Sequence, residues 1–100
     1  MAFTGEEEHT VSFEEAKELK DNYQETSSPA DILGFYYGKT FLLSVLNQEG
    51  CVGIRVYNGR KEDGKLELVI VGVNSDGDDI TDGVMGNRSF PCPPHCGNPW

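Results

Sequence analysis

Cys51-Val52-Gly53-Ile54-Arg55-Val56-Tyr57 and Leu66-Glu67-Leu68-Val69-Ile70-Val71-Gly72-Val73 are the two stretches on which the fold turns. In the first, Val52, Ile54 and Val56 alternate with Gly53, Arg55 and Tyr57, the period of a strand with one buried and one mixed face. The second is apolar almost throughout, as expected of a strand covered on both sides. Asn58-Gly59 and Asp63-Gly64 bracket the connection, and both are turn dipeptides. The pattern predicts an antiparallel hairpin over 51–57 and 66–73.

Upstream of the hairpin, Phe41, Leu42, Val45 and Leu46 fall on one helical face, and Gly50 is placed to cap a helix over 39–48. The preceding Ile32-Leu33-Gly34-Phe35-Tyr36-Tyr37 is rich in aromatics and reads as a short extended segment. Further back, Ser12-Phe13-Glu14-Glu15 is a capping box, and Phe13, Ala16, Leu19 and Tyr23 recur at three- and four-residue steps. A second amphipathic helix is therefore expected over 13–24. Downstream, Asn74-Ser75-Asp76-Gly77-Asp78-Asp79 is a turn, and from Gly83 the composition shifts to Gly, Asn and Pro. That shift predicts a tail lying over the core rather than in a ladder. The expected architecture is α+β: two helices packed on a small, mainly antiparallel sheet, with an irregular Pro/Cys-rich C-terminal tail. Residues 1–10 read as a disordered acidic arm, 11–90 as a single domain, and 91–100 as a tail packed on it. Phe13, Leu19, Phe41, Leu42, Val45, Leu46, Ile54, Val56, Leu68 and Ile70 are the expected core.

One hundred residues suffice for one core, not for a core and a large cofactor cavity as well. With 17 acidic against 8 basic residues the net charge is −9. Nucleic acid and anionic membrane both require clustered basic surface, so neither is an expected partner. No apolar run is long enough to span a bilayer, and the first residues have neither a basic start nor an apolar stretch. A cytoplasmic location is expected, with the cysteines as thiols by default.

Chemistry, if present, concentrates in Pro91-Cys92-Pro93-Pro94-His95-Cys96-Gly97-Asn98-Pro99-Trp100, which holds two of three cysteines and one of two histidines. Cys92-x-x-x-Cys96 falls within the ligand spacing of structural zinc sites, and His95 with Cys51 would complete a Cys3His set. Such a set would take zinc, and no cofactor is otherwise called for. The same two cysteines would also serve as a redox pair, or remain free thiols in a packed tail. A geometric condition attaches to any pairing. In polyproline II form four residues rise about 12 Å, whereas disulfide partners have Cα atoms within about 7 Å. The Pro93-Pro94-His95 segment must therefore turn. In a packed tail, Trp100 and Phe90 would pin the segment to an apolar groove.

Two other motifs fall short of their templates. Gly34-Phe35-Tyr36-Tyr37-Gly38-Lys39-Thr40 has one residue too few for a phosphate loop, with three bulky rings where backbone must meet ligand. Asn74, Asp76, Asp78, Asp79 and Asp82 lack the closing Glu of a calcium loop and suit a turn.

Phe35-Tyr36-Tyr37-Gly38-Lys39, Leu46-Asn47-Gln48-Glu49-Gly50-Cys51-Val52-Gly53-Ile54-Arg55-Val56-Tyr57, Leu68-Val69-Ile70-Val71-Gly72-Val73 and Pro91-Cys92-Pro93-Pro94-His95-Cys96 occur in this order over roughly residues 30–97. In these segments the chain resembles a family of small bacterial proteins without assigned activity, common in Bacteroidetes. The resemblance implies that Cys51 and the Cys92/Cys96 pair belong to one pattern, and it carries over no functional residue. A weaker similarity, to A-type iron–sulfur scaffold proteins, rests on a helix, a Gly-x-Arg-Val-like strand and a cysteine-bearing C-terminus. This chain departs from them in placing Cys51 before the strand and in lacking their glycine-rich cysteine motif.

No catalytic constellation emerges, so an enzyme is not expected. The leading expectation is a non-catalytic module that binds a protein partner, with Phe35, Tyr36 and Tyr37 as its apolar contact. The rival is a thiolate site for metal or redox chemistry, built from Cys51, Cys92, Cys96 and His95.

Overall fold

The computed structural model describes residues 2–100. Seven elements follow one another: α1 (Phe13–Glu25), β1 (Gly34–Tyr36), α2 (Lys39–Leu46), β2 (Cys51–Arg60), β3 (Leu66–Asn74), β4 (Met85–Gly86) and β5 (Phe90–Cys92). The fold is α+β, with two helices and two small antiparallel sheets. One sheet has the order β2-β3-β4 and the other pairs β1 with β5.

The β2–β3 hairpin is the centre of the molecule. Its register sets Ile54 opposite Gly72, Arg55 opposite Val71 and Val56 opposite Ile70, with a bulge between Cys51 and Gly53. β2 continues to Arg60, so Asn58-Gly59 lies within the strand and the turn is Lys61–Lys65. There Gly64, at φ +87°, donates its amide to Lys61 O at 2.9 Å. Positive φ is nearly free for glycine alone, which selects it for this position.

Directly opposed residues share a sheet face. Ile54, Val56, Ile70 and Gly72 thus face one way, and α2 covers that face, its Val45 methyl against Gly72. Arg55, Tyr57, Val69, Val71 and Val73 face the other. β3, central in its sheet, supplies the buried apolar side chains Ile70, Val71 and Val73, and α2 adds Val45. Each is worth about 1.5–3 kcal/mol of burial.

The expected core is corrected here. Val45 and Ile70 belong to it, and Phe41, Leu42 and Leu68 are half-buried. Phe13, Leu19, Leu46, Ile54 and Val56 are exposed. β2 is an edge strand, so its apolar alternation meets cover only where α2 reaches. α1 forms where expected, and Ser12 Oγ accepts from the Glu15 amide at 3.1 Å. No residue of α1 is buried, however, and the tail's Trp100 packs on it, the ring 5.6 Å from Phe13 and under Lys20 Nζ at 4.6 Å. The tail is thus pinned to α1 rather than into an apolar groove.

The segment after Gly83 also departs from expectation, because it does enter ladders. Met85 and Gly86 pair with Val71 and Ile70, and Phe90, Pro91 and Cys92 pair with Tyr36, Phe35 and Gly34. In a two-stranded ribbon every strand has a free edge, where a proline lacking its amide proton is tolerated. Gln48 anchors this return path: its Nε2 donates to Val45 O at 2.9 Å and its Oε1 accepts from Val84 N at 2.6 Å. The first residues lie near β2, with Phe3 N donating to Ser75 O at 2.8 Å.

Candidate functional site

Strand alternation sorts the three aromatics of the β1 region. Tyr36 stands opposite Phe90, so both rings leave the ribbon on the same side, and they stack with centroids 5.8 Å apart at 23°. Phe35, opposite Pro91, points to the other side and is half-buried. His95 extends the row, its ring 5.2 Å from that of Phe90. Tyr36 and Phe90 are each more than half exposed, at 58% and 55%. An exposed aromatic pair of this size is the kind of anchor that interfaces bury.

The row borders an open groove of about 490 Å³ lined by Tyr36, Tyr37, Phe41, Met85, Arg88 and Phe90, with backbone from Gly38, Gly86 and Asn87. Tyr37 and Phe41 form the inner wall, with ring centroids 5.9 Å apart. Phe41 approaches so closely because position 86 is glycine: a Cβ there would strike its ring. The Tyr37 hydroxyl lies 2.8 Å from Asn87 O and 3.2 Å from Leu68 O, bridging the groove rim to β3. Burial, and then the nearby Glu67 carboxylate, push the Tyr37 hydroxyl above its ordinary pKa. Glu67 in turn accepts from Ser89 Oγ at 2.7 Å, fixing the segment between Arg88 and Phe90.

Arg88 is the charged residue of the lining; it is exposed and makes no ion pair among the described residues. A free guanidinium beside several aromatic rings suits a ligand that offers a carboxylate next to an apolar or planar group. A second space of about 490 Å³ lies between Phe3, Gly5, Glu7 and His9 on one side and Leu46, Val52, Ile54, Arg55 and Val73 on the other.

The thiolate candidates are arranged differently from a single ligand set. Cys92 and Cys96 are joined as a disulfide, Cα atoms 4.9 Å apart, which replaces the expected default of free thiols. The Pro93-Pro94 segment turns as pairing requires, and the Cys92–Pro93 and Pro93–Pro94 bonds are both cis. Cys51 is a free thiol at the start of β2, donating to Gly53 O at 3.1 Å. No group of three or more His, Cys, Asp or Glu side chains able to hold a metal ion occurs among the described residues. The structure therefore joins Cys92 to Cys96 and places His95 against Phe90, without gathering Cys51 into the same cluster.

The acidic turn is likewise explained without a ligand. Asn74 Oδ1 accepts from the amides of Asp76 and Asp78, both at 3.0 Å, and Asp79 pairs with Arg55 and the Tyr57 hydroxyl.

Of the expected contact residues, Tyr36 and Tyr37 line the groove and Phe35 does not. Phe41, Met85, Arg88 and Phe90 were not anticipated there. The signal for Phe90 is its position two residues before Cys92, the same side of a strand, which Pro91 obscures. Comparison of the chain with known protein families, with curated proteins and with solved structures finds no match. No helix among the described residues is long and apolar enough to cross a membrane.

Proposed function

We propose that the protein is a non-catalytic binding module, cytoplasmic, whose aromatic groove receives a segment of a protein partner. The observation that carries this reading is the Tyr36–Phe90 stack. Two large rings, each more than half exposed, border a groove whose lining includes one cation, unpaired among the described residues, and no carboxylate. Leaving such rings in water is unfavourable, and covering them returns about 25 cal/mol for each Å² buried. The segment that fits presents an apolar or aromatic side chain for the rings and an acidic group for Arg88.

Selection from a displayed random-peptide library tests this directly. Wild type should enrich peptides with an aromatic or long aliphatic residue beside Asp or Glu. Tyr36→Ala and Phe90→Ala should lose that enrichment, and Arg88→Glu should lose the acidic preference. Both rings are exposed, so these substitutions leave the core intact. Equal enrichment by wild type and Tyr36→Ala would refute the assignment.

A second reading, thiol redox chemistry, is favoured by the Cys92–Cys96 bond alone. In a reducing compartment disulfides are usually transient and functional rather than structural. Zinc held by Cys51, Cys92, Cys96 and His95 would require that bond to be reduced first, because the thiolate is the ligand.

A further inference from the structure

The disulfide loop meets the groove through one ring contact, His95 on Phe90. Cys92 lies within β5, its carbonyl accepting from Leu33 N at 2.7 Å, while Cys96 is exposed. Between them stands His95, whose ring rests on Phe90, which in turn stacks on Tyr36. Bond closure holds the Cys92 and Cys96 Cα atoms 4.9 Å apart. A relaxed polyproline II segment of the same length would separate them by about 12 Å and carry His95 away from the ribbon. Opposing that release are two turn hydrogen bonds, His95 N to Pro91 O at 2.9 Å and Cys96 N to Pro94 O at 3.0 Å. Both involve solvent-facing residues, and each has a modest net worth.

We infer that Cys92–Cys96 is a thiol–disulfide exchange site for a dithiol reductant, and that its redox state sets the affinity of the aromatic groove. The inference rests on the groove being the binding surface. A thiolate of the reductant attacks the exposed Cys96 sulfur, and the Cys92–Cys96 bond breaks with its electron pair passing to Cys92, which takes up a proton. The reductant's second thiolate then displaces Cys96 from the mixed disulfide, and Cys96 takes up the second proton. The protein gains two electrons and two protons, and the dithiol becomes a disulfide. With the loop open, His95 leaves Phe90 and the Tyr36–Phe90 stack loses the ring that flanks it. Oxidised protein is the high-affinity form and reduced protein the low-affinity form.

Anilinonaphthalene sulfonate, an aromatic anion of the class the groove suits, serves as the probe. Its fluorescence titration is compared for oxidised wild type, wild type reduced with dithiothreitol, the Cys92→Ser/Cys96→Ser double variant and Cys51→Ala. Reduction is verified by a mass gain of about 2 Da, and proton NMR follows the contact between the His95 and Phe90 rings. Reduced wild type and the double variant should bind roughly three- to tenfold more weakly than oxidised wild type, the worth of one aromatic contact, and should lose that ring contact. Cys51→Ala should match oxidised wild type. Protein that gains no mass under the dithiol overturns the exchange site. Unchanged affinity in verified reduced protein overturns the coupling, and the groove still stands if Tyr36→Ala abolishes binding. Probe binding that Tyr36→Ala leaves intact sinks the groove and the inference together.

Discussion

Asp79 connects the hairpin to the turn that follows it, receiving the Tyr57 hydroxyl on one oxygen and the Arg55 guanidinium on the other. The Tyr57 hydroxyl first, and then Arg55, hold its carboxyl below the ordinary carboxylate range. A depressed folded-state pKa means that the ionised form is the one the fold favours. Its contribution is complete above the unfolded value of about 3.9 and is lost as pH falls through the folded one. Asp79→Asn should therefore lower the urea midpoint near neutral pH, and the gap to wild type should narrow as the pH falls below the unfolded carboxylate value. A gap independent of pH would show that packing, not charge, is what the substitution removes. Tyr37 carries the opposite shift, pushed up by burial and by Glu67. Its neutral form is favoured by the fold below about pH 10 and that contribution is lost above it. In an ultraviolet titration a component should appear above the ordinary tyrosine value, and Tyr37→Phe should delete it.

At the level of elements, the hairpin and both helices are legible because their signals are local. β3 is apolar nearly throughout, and α1 begins at a recognisable cap. Burial is less legible, since alternation in β2 marks two faces without saying which neighbour covers them. Val71, opposite Arg55 on central β3, is 1% exposed, whereas Val56 on edge strand β2 is 47% exposed. Val71→Ala should accordingly cost about 2–3 kcal/mol of stability and Val56→Ala well under 1, read from chemical denaturation. Comparable losses at the two positions would mean that β2 is covered in solution by something other than α2. The β1–β5 ribbon was hidden for another reason. Pro91 is a poor strand residue in isolation, and its partner Phe35 lies some fifty-six positions earlier, so no local pattern joins them. The groove inherits this illegibility: Tyr36 and Tyr37 are visible as a cluster, but Phe90 and Arg88 reach them only through the ribbon. The pairing of Cys92 with Cys96 was readable as one option among three, and it is the one the structure shows.

The whole molecule is extended for its mass. Its radius of gyration is 15.3 Å, against about 13 Å for a typical hundred-residue domain. It exposes 7626 Å², where a compact monomer of 11.0 kDa is expected to expose about 5,600 Å². Surface that folding leaves uncovered does not contribute to the denaturant slope, so the urea m-value should lie near the lower end of the small-protein range, about 1 kcal/mol/M. A slope above about 2 kcal/mol/M would show that unfolding exposes far more than this architecture buries. Uncovered apolar surface is also what a partner needs, and the groove at Tyr36 and Phe90 offers rings and a free cation together. The most direct measurement is amide shift mapping by NMR, with a library-selected peptide titrated into the oxidised protein. The account predicts perturbations confined to Tyr36–Gly38, Phe41 and Met85–His95, with saturation abolished in Tyr36→Ala. Perturbations centred instead on α1, or on residues 3–9 and β2, would contradict it.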